Sequence, residues 1–506
     1  MSRLDSDALE SDEIDLDPQD WDEFASLAHR AVDDMVEFLR TVRERPPWKP
    51  LPERARADLI QPLPRSSSDL ASVYETFRES VLPYPTGNIH PRFWGWVMGT
   101  GTADGVLSEM LAATMNSHVG GWDQSAYVME RQVLRWLAEM LGYPTSASGL
   151  LVSGCTAANL TAVAVARRAM AELDVREEGL AGPGRPRLRV YGSAETHSWA
   201  KKCCDLLGLG RQGFRLIAVD SRGAIDLDQL RATLHADRAA GDRPICVVGN
   251  AGTVNTGAFD DLEALADLCV EENLWFHVDG AFGALAALVP ELEHLVRGLG
   301  RADSVAFDLH KWGYLQYEVG CVLVRNADLH RETFAMPADY LRTPGRGIQP
   351  EALEMTELGV QLSRGFRALK VWMLLKTHGV DKLGQVIAQN VEQARYLASR
   401  VEREPHLELL APVPLNLVCF RYVGKDLAED QLDDVNQEIL LRVQEGGIAI
   451  PSSTRIDGRF ALRVANTNHR SRRKDFDLLV DGVLKIGAEL EVEMGVEREE
   501  AVLASV

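Results

Sequence analysis

Residues 275–283 read Trp275-Phe276-His277-Val278-Asp279-Gly280-Ala281-Phe282-Gly283. An apolar run broken only by a histidine ends on an acid, and small residues follow at once. The run does not alternate apolar with polar, so it reads as a strand covered on both faces, as in parallel sheets sandwiched by helices. Three more runs have this texture: Arg189-Val190-Tyr191, Ile245-Cys246-Val247-Val248 and Gly320-Cys321-Val322-Leu323-Val324. Helical stretches separate them, which gives residues 93–379 the rhythm of an α/β domain with a mainly parallel sheet. Ligands of such sheets gather beyond the carboxyl ends of the strands, and Asp279 stands at one of those ends.

Outward from this block the pattern changes. Residues 1–17 are an acidic stretch without apolar periodicity and are expected to be disordered. Residues 18–92 read as a helical arm and linker. Trp21, Phe24, Leu27, Ala28, Ala31, Val32, Met35 and Leu39 form one helical face, and Pro46-Pro47-Trp48-Lys49-Pro50 forces an extended connector. Residues 380–506 read as a small α+β domain. Its expected parts are a helix over 383–402, two strands within 407–422, a helix over 431–444, and strands at 448–450 and 460–465.

The 506 residues carry a net charge of −21, which disfavours partners made of phosphate backbone or anionic lipid. No apolar run approaches the roughly 20 residues of a membrane span. The amino terminus lacks the cationic and apolar signature of a signal peptide. Seven scattered cysteines argue against a disulfide framework and for a reducing compartment. These features imply a soluble cytoplasmic protein acting on a small molecule.

Four groups at strand ends carry chemistry. Gly149 to Val152 is a strand that turns through Ser153-Gly154-Cys155-Thr156 into an Ala-rich helix, and free amides at such a helix start bind anions. Asp279 is a carboxylate in apolar surroundings, where a nearby cation would stabilise it. Lys311, in Phe307-Asp308-Leu309-His310-Lys311-Trp312, ends another apolar run, and desolvated lysines form Schiff bases. His197, in Glu195-Thr196-His197-Ser198, follows a strand and offers a flat ring. Each alone has an ordinary structural reading, as a tight turn, a helix cap, a surface lysine or a capped histidine. Together they are what pyridoxal phosphate needs: an anion cradle, an amine for its aldehyde, a carboxylate for its pyridine nitrogen and a ring for its face. Gly208-Leu209-Gly210-Arg211-Gln212-Gly213 follows a helix and reads as its terminus, not as a dinucleotide loop. The basic run His469 to Lys474 reads as a solvated helix start.

With these motifs in view, the sequence resembles the group II pyridoxal-phosphate decarboxylases, which include aromatic-L-amino-acid and glutamate decarboxylases and have fold type I. His90-Pro91-Arg92-Phe93, Ser153 to Asn159, Glu195 to Ser198, His277 to Ala281, His310-Lys311-Trp312, Ser363 to Lys370 and Arg459 to Arg463 carry the likeness, which spans about residues 20–490. The resemblance implies a large domain with a mainly parallel seven-stranded sheet, a small α+β domain, an amino-terminal helical arm, and a homodimer with active sites at the interface. It implies that Lys311 forms the Schiff base and that Asp279 pairs with the pyridine nitrogen. It places Ala281 and His197 on opposite ring faces. It assigns Gly154, Cys155, Thr156 and His310 to the phosphate and sets Thr253 near the 3-hydroxyl. Arg463 would hold the substrate carboxylate.

The implied reaction is decarboxylation of an L-amino acid to its amine. Trp94, Trp96 and Trp122 lie in a region whose family counterparts line the pocket, and they favour an aromatic or bulky apolar substrate; ordinary core and interface packing is their other reading. Two departures stand out. Family members carry a tyrosine proton donor in a loop before the Ser-Arg-x-x-Arg helix, whereas residues 343–358 here hold no Tyr or His, and Tyr340 lies just ahead. Cys155 stands where Gly is commoner. The first departure opens oxidative formation of an aldehyde, or another carbon–carbon lyase reaction, as alternatives. A catalytically silent binding protein on this fold is a third, against which Lys311, Asp279 and His197 argue.

Overall fold

The computed structural model describes residues 14–336, 346–348, 354–425 and 427–504. The expected disordered tail lies outside them as far as residue 13, and so does Tyr340. The chain forms two compact units, one from the residues up to Arg45 together with Pro50–Pro85, the other from Pro46–Lys49 and Thr86 onward.

In the first unit the helix Trp21–Arg40 starts where the Asp20 carboxylate accepts from the amides of Asp22 and Glu23. The stretch beyond it, expected to be a linker, contains the helices Glu53–Leu59 and Leu70–Thr76. Tyr74 Oη donates to Asp34 Oδ2 at 2.8 Å, and Arg78 pairs with the same carboxylate at 2.9 Å, tying the unit together.

The second unit holds two sheets. Strands β1 (Ser148–Val152), β2 (Leu188–Ser193), β3 (Phe214–Ile217), β4 (Arg243–Asn250), β5 (Trp275–Asp279), β6 (Ser304–Asp308) and β7 (Gly320–Val324) form the larger one. Their order is β1-β7-β6-β5-β4-β2-β3, and β7 alone runs against the others. Nearly every residue of these strands is buried, which is why they read as continuous apolar runs. The fold type I α/β reading of the sequence is thereby met. The four residues of β3 were too short a run to be expected from sequence.

The smaller sheet is antiparallel: β8 (Leu407–Leu409), β9 (Leu417–Tyr422), β10 (Ser452–Ile456) and β11 (Arg459–Ala465), in the order β10-β11-β9-β8. The helices Val380–Arg403, Glu429–Glu445 and Arg473–Ala504 accompany it. The strand expected at 448–450 is corrected. Ile450 makes only an isolated bridge, to Phe93, and the strand begins at Ser452. Trp94 N–H donates to the Ile450 carbonyl and Ala465 N–H to the Trp94 carbonyl, so residues 93–96 run alongside this sheet. The basic run is met in part. The helix does start in solvent, with Arg472, Arg473 and Lys474 exposed, but ahead of it Ser471 is buried and Arg470 reaches the carbonyls of Ile89 and Thr100 as an internal anchor.

Candidate active site

Five strands of the larger sheet send their carboxyl ends to one cavity of about 610 Å³. Its wall contains Ser153 to Ala157 after β1, Glu195, His197 and Trp199 after β2, Asn250 and Gly252 to Asn255 at and after β4, Asp279, Ala281 and Phe282 from β5, and Asp308, His310 and Lys311 from β6. The smaller sheet adds Ser452, Ser453 and Arg463, and the 93–96 segment adds Trp96.

The helix Cys155–Met170 has no side-chain cap at Gly154. Its first ladder bonds run from Ala157 and Ala158 to the Gly154 carbonyl, so the Cys155 and Thr156 amides precede the ladder as orphan donors. The His310 ring backs this turn, its Cε1 lying 3.2 Å from where a Cβ on Gly154 would stand. His310 Nδ1 accepts from Val319 N–H at 3.2 Å, which leaves Nε2 as the protonated nitrogen of the neutral ring. Burial holds its pKa below the ordinary histidine value, with Asp308 opposing. Glycine is required at 320, where a Cβ would come within 2.7 Å of Gly154 Cα.

Asp279 is buried and fully engaged. Oδ2 accepts from Trp199 Nε1 at 2.5 Å, and Oδ1 accepts from Ala281 N–H at 3.2 Å and from the Cys155 thiol at 3.5 Å. Behind it, Asn159 donates to Cys155 Sγ and accepts from His277 Nε2, while His277 Nδ1 meets Ser304 Oγ. The Cys155 side chain therefore faces the carboxylate, and only its amide faces the helix start.

Lys311 sits on the turn after β6, with Nζ 2.9 Å from Asp308 Oδ2. Gly99 packs beneath that turn, and a side chain there would put Cβ 2.2 Å from the His310 carbonyl oxygen. His197 opens onto the cavity and its Nδ1 accepts from Trp199 N–H at 3.3 Å. Burial lowers its pKa, Asp279 partly opposing. Thr253 Oγ1 accepts from Ala258 N–H at 3.1 Å, within its own turn.

Arg463 is a buried cation without a carboxylate within ion-pair distance among the described residues. Nε donates to the Asn255 carbonyl, Nη1 to the Trp96 carbonyl and Ser452 Oγ, and Nη2 to the Val254 carbonyl. Burial pushes its pKa down to about 10, the Cys419 thiol opposing. One N–H of Nη2 is left over, beside the cavity.

Every expected site residue except two lies on this wall. Trp94 is corrected to a core residue: it is 1% exposed, stacks on Phe476 with centroids 4.5 Å apart, and donates to Ser471 Oγ. Trp122 stands off the wall, edge-on to His118 at 4.8 Å. Two wall residues carry roles that sequence reading missed. Asp308 had a signal, an acid three residues before the lysine. Trp199 had none, because its contact is purely tertiary.

The profile of the pyridoxal-dependent decarboxylase conserved domain matches residues 52–423. The chain belongs to that family. It is 32% identical over 458 residues to the aromatic-L-amino-acid decarboxylase of Bacillus atrophaeus, covering 90% of this chain and 93% of the relative. It is 28% identical over 467 residues to a phenylacetaldehyde synthase of a Rosa hybrid cultivar, covering 89% and 90%. The crystal structure of Oryza sativa TDC with PLP and tryptamine superposes with a TM-score of 0.87 at 28% identity, covering 94% of this chain and 100% of that one. This decarboxylase is thus a pyridoxal-phosphate-dependent carboxy-lyase. Its cavity fits the cofactor on its own terms, with orphan amides for a phosphate, an amine for an aldehyde and a fixed carboxylate for a ring nitrogen. No helix among the described residues is long and apolar enough to cross a membrane, and none of their His, Cys, Asp and Glu side chains cluster as a metal site.

Proposed function

We propose that this decarboxylase removes carbon dioxide from an aromatic or bulky apolar L-amino acid and releases the amine. The observation that carries the reading is the convergence of Lys311, Asp279 and the uncompensated Arg463 on one cavity. Pyridoxal phosphate, when bound, supplies an electron sink for the pair left by the departing carboxylate. Lys311 is the amine that takes its aldehyde. The amides of Cys155 and Thr156, backed by His310, hold the phosphate against the −21 charge of the chain as a whole. Asp279, held in place by its three donors, faces the ring nitrogen. His197 and Ala281 confine the ring between them, and the spare Nη2 proton of Arg463 takes the substrate carboxylate. Trp96, on the wall and half exposed, offers an aromatic surface to the side chain. The names of the Bacillus and Oryza relatives support an aromatic substrate.

We further propose a homodimer in the cytoplasm. Trp122, off the wall of its own chain, would then be free to serve the neighbouring site, and seven unpaired buried cysteines suit a reducing compartment.

A second reading, an aldehyde product, draws on the absence of Tyr and His from residues 343–358 and on the phenylacetaldehyde synthase relative. That loop lies partly outside the described residues. The reaction would take up dioxygen and release ammonia and peroxide along with carbon dioxide.

One experiment tests both readings. Purified protein is supplied with single amino acids while carbon dioxide, amine, aldehyde and oxygen uptake are measured. Amine with carbon dioxide supports the first reading, and aldehyde with oxygen uptake the second. No carbon dioxide from any amino acid overturns both. Lys311→Ala should abolish the visible band that pyridoxal phosphate produces in the wild type.

A further inference from the structure

Asp308 ends β6 almost wholly buried, and its two oxygens live differently. Oδ2 pairs with Lys311 Nζ at 2.9 Å and lies 3.7 Å from His310 Nε2. Oδ1 is buried with no hydrogen-bond partner, and it lies close to the Gly154 and Gly320 backbones, which present no donor to it. The carboxylate therefore has one strong cationic partner. A buried charge is tolerable only while paired, so this carboxylate favours a positive charge on the lysine nitrogen. The turn between them cannot relax easily, because Leu309 and His310 N–H both bind the Val319 carbonyl and Gly99 packs beneath.

We infer that Asp308 is a positioning residue for Lys311: its buried carboxylate holds Nζ inside the cavity and sets the pH at which that nitrogen becomes a free amine. The other ionisable groups facing Nζ are Asp279 from β5, Cys155 from the helix after β1, His197 from the turn after β2, and His310 and Tyr317 from its own loop. Glu318, also on the wall, is engaged by Arg367 at 2.9 Å. Asp308 is the one carboxylate that lies within ion-pair distance of Nζ among the described residues. Burial by itself would lower the lysine pKa; Asp308, with smaller help from Cys155 and Asp279, carries it above the ordinary value. A nitrogen must shed its proton before it adds to an aldehyde, so Asp308 keeps Lys311 in place at the cost of slower capture near neutrality.

The inference rests on reading Lys311 as the residue that takes the cofactor, and two measurements on the full chain, freed of cofactor, test it. The first is the pH profile of Lys311 methylation by formaldehyde and cyanoborohydride, read by peptide mass spectrometry. Asp308→Asn should move the midpoint down by about 1–3 pH units, with roughly tenfold faster labelling per unit below the wild-type midpoint. Coincident profiles would overturn the inference. The second covers the case in which Asp308→Asn folds poorly. Lys311→Met strands the carboxylate and should lower Tm, and adding Asp308→Asn to it should restore part of that loss. A double variant no more stable than Lys311→Met would also overturn the inference. Failure of the reading beneath it shows separately, as a wild type that develops no visible band with pyridoxal phosphate.

Discussion

The indole nitrogen of Trp199 donates to Oδ2 of Asp279 across 2.5 Å, from the helix after β2 to the end of β5. With Ala281 N–H and the Cys155 thiol on the other oxygen, it fixes the plane of the carboxylate. On the proposed reading, Asp279→Asn removes the carboxylate that faces the ring nitrogen. It should retain part of the cofactor affinity and lower kcat by orders of magnitude. Trp199→Phe leaves the charge and loses one donor, which costs about 1.5–3 kcal/mol of hydrogen bonding. It should lower kcat about tenfold or more, far less than Asp279→Asn. Steady-state rates and a visible-band titration of cofactor check both, and near-normal turnover in Asp279→Asn would contradict the role.

On the proposed reading, Arg463 separates substrate from product. Arg463→Lys keeps a cation but not the fork that meets three carbonyls and a hydroxyl. KM for the amino acid should rise at least tenfold, while inhibition by the amine product, which has no carboxylate, should change little. Equal weakening of both would place the carboxylate elsewhere.

Trp94 belongs to the stability of the smaller sheet. Trp94→Ala should cost about 3–5 kcal/mol, seen as a lower denaturation midpoint, with kcat and KM per folded molecule close to wild type. A changed KM at unchanged stability would return Trp94 to the substrate pocket.

His330 is buried between Ser148 Oγ at Nδ1 and the Leu358 carbonyl at Nε2, and burial pushes its pKa down to about 4. Its unfolded value is about 6.5, so as pH falls the unfolded chain takes up the proton first. The stability this residue provides is complete above pH 6.5, declines toward pH 4 and is level below that. At pH 5 the loss is about 2 kcal/mol. Urea unfolding at a series of pH values should show a shallower acid decline for His330→Gln than for wild type, and parallel curves would refute the assignment.

Much of this was legible in the chain because strand burial and strand ends leave marks in sequence. The run Trp275 to Val278 could only be a doubly covered strand, and Asp279, Lys311 and the Ser153 to Thr156 turn could be placed at strand ends without coordinates. Trp94 was misread because an aromatic near a site and an aromatic in a core look alike until their partners are known; its partner, Phe476, lies in a distant part of the chain. The front of the basic run, Arg470 and Ser471, was missed for a related reason. Arg470 is stabilised by carbonyls of residues 89 and 100, which no local pattern announces.

By itself the sequence determined the α/β class, the family resemblance and the candidates for the groups that act, since periodicity and residue chemistry are local properties. Only the tertiary structure decided how those groups are set. It turned the Cys155 thiol toward Asp279, gave Asp308 its pairing with Lys311, and left Arg463 buried among carbonyls with no counterion among the described residues. These follow from which strands become neighbours. The order β6-β5-β4-β2 brings residues far apart in sequence within hydrogen-bonding distance, and burial then makes each of those contacts count.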